Sequence, residues 1–108
     1  MRTLRYISGP GHGWLEVQQD LIREVGVAAN ISSYSYMLKN RDGSGAIAFL
    51  EEDCDMPAFL YAARIAGIEF TIVDEYDPDE VVRNYPPFRP SAFGEPRRST
   101  VPNSTLSS

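Results

Sequence analysis

The chain has 108 residues, with 10 basic and 15 acidic side chains, a net charge of −5 with its one histidine neutral, and 43% apolar residues; this is the size and mixture of one small globular domain. Its longest unbroken apolar run is the six residues Ala58–Ala63, far short of the roughly 20 that span a membrane, and its opening Met-Arg-Thr-Leu-Arg-Tyr lacks the apolar core of a secretion signal. One cysteine excludes an intramolecular disulfide and a cysteine metal cluster, so the expectation is a soluble, cytoplasmic domain.

Thr3–Ile7 alternates, with Leu4 and Tyr6 on one face against Thr3 and Arg5 on the other, and predicts a strand. The Gly- and Pro-dense stretch Ser8–Gly13 turns the chain into a second short strand, Trp14–Val17. Gln18–Val25 predicts a short helix that buries Leu21, Ile22 and Val25 and stops at a left-handed Gly26. Ile31–Leu38 is rich in β-formers and predicts a strand with Tyr34, Tyr36 and Leu38 on one face. Arg41–Gly45 is a turn, and Ala46–Glu51 returns as the buried half of a hairpin. A second helix is predicted over Met56–Ala66, capped by Asp53 or Asp55 and ended by Gly67, with Met56, Phe59, Leu60 and Ala63 as its apolar stripe. Ile68–Asp74 is the last strand, with Ile68, Phe70 and Ile72 inward. The order β-β-α-β-β-α-β predicts an α+β fold: a two-layer sandwich of a mainly antiparallel five-stranded sheet with two helices on one side.

Composition changes at Pro78, and six of the eight prolines, Pro78 included, fall within the last 31 residues. Residues 1–77 are read as the compact α+β domain. Residues 78–95 form an extended Pro/aromatic arm able to lie across it, and 96–108 a disordered Ser/Thr-rich tail. Residues 1–80 carry six basic and fourteen acidic side chains, net −8, whereas 81–108 carry four and one, net +3. An acidic body argues against direct nucleic-acid binding, although carboxylates can imitate a phosphate backbone on a host protein's surface.

Candidate chemistry is sparse. Glu51, Asp53 and Asp55 could hold a divalent cation such as Mg²⁺, which takes oxygen ligands. The plainer reading has Asp53 and Asp55 capping the helix while Glu51 and Glu52 are solvated. His12, between two glycines, could transfer protons, but no Ser, Cys or Asp stands at motif spacing to it, and a turn role is preferred. Gly9, Gly11 and Gly13 match neither a P-loop nor a dinucleotide fingerprint. Cys54 precedes a helix but is flanked by acids that disfavour a thiolate, and reads as an inert, half-buried side chain. Tyr34, Tyr36 and Trp14 could stack on bases, although core packing is the plainer role. Tyr85, Pro86, Pro87, Phe88 and Arg89 favour a polyproline conformation that a partner's groove could recognise; an arm packed on its own domain is the alternative.

Three blocks resemble, in order and spacing, a group of short uncharacterised proteins encoded by bacteriophages and prophages. They are Gly11-His12-Gly13-Trp14-Leu15-Glu16-Val17, Ile31-Ser32-Ser33-Tyr34-Ser35-Tyr36 and Leu50-Glu51-Glu52-Asp53-Cys54-Asp55. The resemblance covers residues 2–77, brings no activity or site residue, and implies a bacterial host cytoplasm and an accessory role on host or phage machinery. The expected function is therefore a non-enzymatic protein-binding module, with no catalytic residue, no cofactor and no membrane. Two alternatives stand beside it: a metal-assisted enzyme on a phosphate-containing substrate using the carboxylates of Glu51–Asp55, and a homodimer joined through the edge of the 31–51 hairpin.

Overall fold

Residues 2–93 are described by the structure, a computed structural model. The chain runs β1 (Arg2–Ser8), β2 (Gly13–Gln18), α1 (Gln19–Val25), β3 (Tyr36–Lys39), β4 (Ala46–Glu51), α2 (Asp55–Ile65) and β5 (Phe70–Tyr76). Short 3-10 turns lie at Ala28–Asn30, Val81–Asn84 and Pro90–Phe93. The five strands form one sheet in the order β3-β4-β2-β1-β5. Every pairing is antiparallel except β1 with β5, which is parallel. The α+β sandwich holds. No helix of the described residues is long and apolar enough to cross a membrane.

Period-two alternation divides the sheet into two faces. Leu4, Leu15, Val17, Met37, Ala46, Ala48 and Leu50 point to one side and pack with Leu21 and Ile22 of α1 and Phe59 and Ala63 of α2. Small Ala46 and Ala48 on β4 let the helices approach, while Phe59 stacks on Phe70 with ring centres 5.8 Å apart. On the other side Ile7, Trp14 and Phe49 form a smaller cluster closed by Val82. Arg5 pairs on that side with Glu16 and Glu75, tying β1 to both its neighbours. α1 ends as its sequence implies: Gly26 adopts φ 79°, and its amide reaches the Ile22 carbonyl at 2.9 Å.

Three local expectations change. The third strand begins at Tyr36, not Ile31, because Ala28–Asn30 forms a turn and residues 32–35 form another. The last strand is Phe70–Tyr76, and its Ile72 is 39% exposed, since neither helix reaches far enough across the sheet to cover it. The cap of α2 is supplied by Glu51, whose carboxylate accepts from the amides of Asp53 (2.9 Å), Cys54 (2.7 Å) and Asp55 (3.2 Å). The acid therefore sits at the end of the strand before the helix, where it meets the helix's orphan donors and its dipole.

The arm belongs to the fold. Val82, Phe88 and Phe93 are buried, and Phe88 stacks on Phe93 at 4.7 Å between ring centres. The Met37 amide donates to the Pro86 carbonyl (2.9 Å) and the Phe88 amide to the Ser35 carbonyl (2.8 Å), with a bridge between Tyr36 and Pro87. Residues 86–88 thus lie along the outer side of the 31–51 hairpin at Ser35, Tyr36 and Met37. The expected tail, 96–108, lies outside the described residues.

Candidate functional site

An open cavity of about 350 Å³ gathers most of the residues singled out from the sequence: His12, Trp14, Tyr34, Tyr36, Glu51, Asp53 and Cys54, with Arg83 added. It lies on the sheet face away from the helices, where four segments meet: the β1–β2 loop, the turn before β3, the start of α2 and the arm. Trp14 is the nearly buried floor, with the His12 ring 5.9 Å away and the Tyr36 ring edge-on at 6.3 Å. Tyr34 rises from the turn before β3 and is 78% exposed, contrary to the expectation that it packs in the core.

That turn is held from below. Asp55 is 3% exposed, and its carboxylate accepts from the Ser32 amide (3.1 Å to each oxygen), the Ser32 hydroxyl (2.7 Å) and the Ser35 hydroxyl (2.5 Å). Ser35 in turn accepts from the Glu51 amide at 2.9 Å. A buried carboxylate satisfied this fully is a structural clasp. It joins the first turn of α2 to residues 32–35 and so sets where Tyr34 and Tyr36 stand.

The loop carrying His12 is held in the same manner by Glu80. This carboxylate accepts from the amides of Gly11 (2.9 Å) and His12 (3.1 Å) and from the Arg83 guanidinium (3.2 Å). The Gly11 amide, with Arg83 and the His12 amide behind it, holds the Glu80 carboxyl below the ordinary glutamate range against the opposing effect of burial. Glu80 has a left-handed backbone, φ 47°, rare for a side chain of its kind. The glycines serve this packing: a methyl on Gly9 would overlap the Glu80 side chain, and one on Gly13 would overlap the Tyr6 phenol.

The three acids of the metal expectation, Glu51, Asp53 and Asp55, are not brought together as one ligand set. Glu51 and Asp55 are committed to amides and hydroxyls, and among the described residues no three His, Cys, Asp or Glu side chains stand close enough to share a metal ion. Asp53 borders the cavity, but its carboxylate accepts none of the hydrogen bonds formed among the described residues. Cys54 is exposed rather than half-buried, because α2 begins one residue later and turns the thiol outward.

The segment read as a partner-binding peptide is laid on its own domain. Phe88 is core and Tyr85 packs on Phe49 at 5.1 Å, while Pro86 and Pro87 border β3 and remain exposed together with Arg89. Sequence reasoning missed Glu80, Arg83, Ser32 and Ser35. The available signal was Ser35, a hydroxyl between two tyrosines in a segment read as a strand, which needs a partner if it is buried.

Compared with protein families, characterised proteins and solved structures, the chain matches none.

Proposed function

We propose that this protein is a small non-enzymatic accessory protein of the phage type. In a bacterial cytoplasm it would bind another protein by taking one of that partner's basic side chains into the aromatic cavity. The observation that carries this reading is the meeting of His12, Trp14, Tyr34 and Tyr36 with Asp53 at one open cavity.

Tyr34 leaves most of its ring in water, and exposed aromatic surface clustered at a concavity is characteristic of binding sites. Ring faces attract a lysine or arginine cation, and the attraction grows as the site is desolvated. Asp53 adds an unspent negative charge. The other charges nearby are already answered, Glu51 by three amides and Arg83 by Glu80. The net −8 of residues 1–80 would speed encounter with a basic surface. Chemistry is the weaker reading because no hydrogen bond among the described residues joins the His12 imidazole to a carboxylate or to Cys54, so no base is oriented against a nucleophile.

The test is capture from a bacterial lysate by the full-length protein beside Tyr34→Ala and Asp53→Asn, each checked for folding by circular dichroism. A stoichiometric partner retained by the wild type and lost with both substitutions is the expected result. Equal retention by all three, or none by the wild type, rejects the cavity as the binding site.

A further inference from the structure

The cavity contains the chain's one histidine, His12. Histidine is the side chain that ordinarily changes charge between about pH 5 and 8. The His12 ring is centred 5.9 Å from that of Trp14 and inclined to it by 33°, so it leans over the indole instead of meeting it edge-on. A cation within about 6 Å of an aromatic centre is drawn to the ring face. We infer that His12 sets a pH dependence on the cavity: its imidazolium form is an internal cation that opposes an incoming basic side chain, and loss of the proton releases the site. This rests on the reading of the cavity as a cation site and names how that site is regulated.

The position of the ring is fixed through its main chain. The His12 amide donates to Glu80 at 3.1 Å, and its carbonyl accepts from the Gly9 amide at 2.7 Å. The charged and titratable groups around it come from three directions. The arm supplies Glu80 and Arg83, the start of α2 supplies Glu51, Asp53 and Cys54, and the turn before β3 supplies the Tyr34 and Tyr36 phenols. Between about pH 5.5 and 7.5 ordinary carboxylates stay ionised, and ordinary thiols and phenols stay protonated. Glu80 is held below the usual glutamate range, so it too keeps its charge there.

The imidazole is then the group whose charge changes. With it neutral, Glu51, Asp53 and Arg83 leave the lining at −1; with it protonated, the lining comes to zero. The cation that should be attracted from outside therefore loses its electrostatic advantage at acid pH. The imidazolium, in contrast, is accommodated from within, by the Trp14 ring and by its attraction to the Glu80 carboxylate.

The test is a titration of the full-length protein with Nα-acetyl-arginine amide at low salt, followed at the indole N–H resonance of Trp14, the chain's one tryptophan. Binding is expected to be about three- to tenfold weaker at about pH 5.5 than at about pH 7.5, the effect of one unit charge a few ångströms away in a partly solvated site. His12→Gln is expected to hold a single affinity at both pH values. His12→Lys, which carries a fixed charge, is expected to show the weaker affinity at both. His12 does not have the left-handed backbone that would penalise these substitutions, and circular dichroism checks the fold of each. Equal wild-type affinity at the two pH values, or a pH dependence that survives in His12→Gln, overturns the inference and leaves the cation site standing. A Trp14 resonance that the probe moves in none of the three proteins at either pH overturns the cation site and the inference with it.

Discussion

The two edges of the sheet are treated in opposite ways. At β3 the chain folds back on itself: Pro86 and Phe88 supply backbone partners, and Phe88 and Phe93 sink into the core as anchors. At β5 the chain leaves through Asp77 and crosses over the sheet, so nothing of its own lies along the outer side of that strand among the described residues. Among the described residues the sheet has two edges and one segment left to cover them. The segment went to β3, a strand of four residues, while no described segment lies along the outer side of β5, a strand of seven. Edge protection in a small domain is thus a question of which end of the sheet the remaining chain can reach.

The largest test of this contrast removes the anchor of the covered edge. Phe93→Ala leaves a cavity where a fully buried ring stacked on Phe88 and is expected to cost about 3–5 kcal/mol. Urea unfolding would measure this, and hydrogen exchange at the Met37 amide would report release of the edge. Next comes the clasp that delivers β3 to its position. Asp55→Ala strips the acceptor from the Ser32 amide and from two hydroxyls, and a loss of about 2–3 kcal/mol follows from leaving such donors unpaired. Asp55→Asn, which keeps an acceptor, should lose less.

The arm is also pinned at its start, through Glu80, and there the test is pH. The folded carboxyl lies below its unfolded value of about 4.3. Its contribution is therefore complete above that value and is lost as pH falls through the lower folded one. The Gly11 and His12 amide resonances should shift across that acid window in the wild type. They should be displaced at every pH in Glu80→Gln, and in Gly9→Ala, where the added methyl pushes the carboxylate away. The smallest effect belongs to the open edge. Val73→Thr, measured on dilute protein, should change folding stability by no more than about 0.5 kcal/mol, because its side chain already faces water.

Much of the architecture was legible because it is written locally. Alternation in Thr3–Ile7 and Ala46–Glu51, the helical spacing of Leu21, Ile22 and Val25, and Gly26 as a stop each depend on a few neighbouring residues. The failures share a cause as well. Ile31–Ser35 has strand-forming composition, but Asp55, twenty residues on from Ser35, pulls it into a turn. Tyr34 consequently left the core for the cavity rim. The same clasp reassigned the acids: Asp55 was spent on serines, so the cap fell to Glu51. Of the site, the aromatic residues and Asp53 could be named from sequence, whereas Glu80 could not, because its partners lie 68 and 69 residues away.

The sequence by itself determined the number and order of the elements, the two apolar faces, the acidic body and the packing capacity of the arm. These follow from side-chain period and backbone preference within short windows. Tertiary structure alone decided the strand order, the parallel pairing of β5, the choice of edge that the arm covers and the convergence of His12, Tyr34 and Asp53. Each of these depends on contacts between residues far apart in the chain, where the free energy of closing loops and burying shared surface, rather than local propensity, selects the partner.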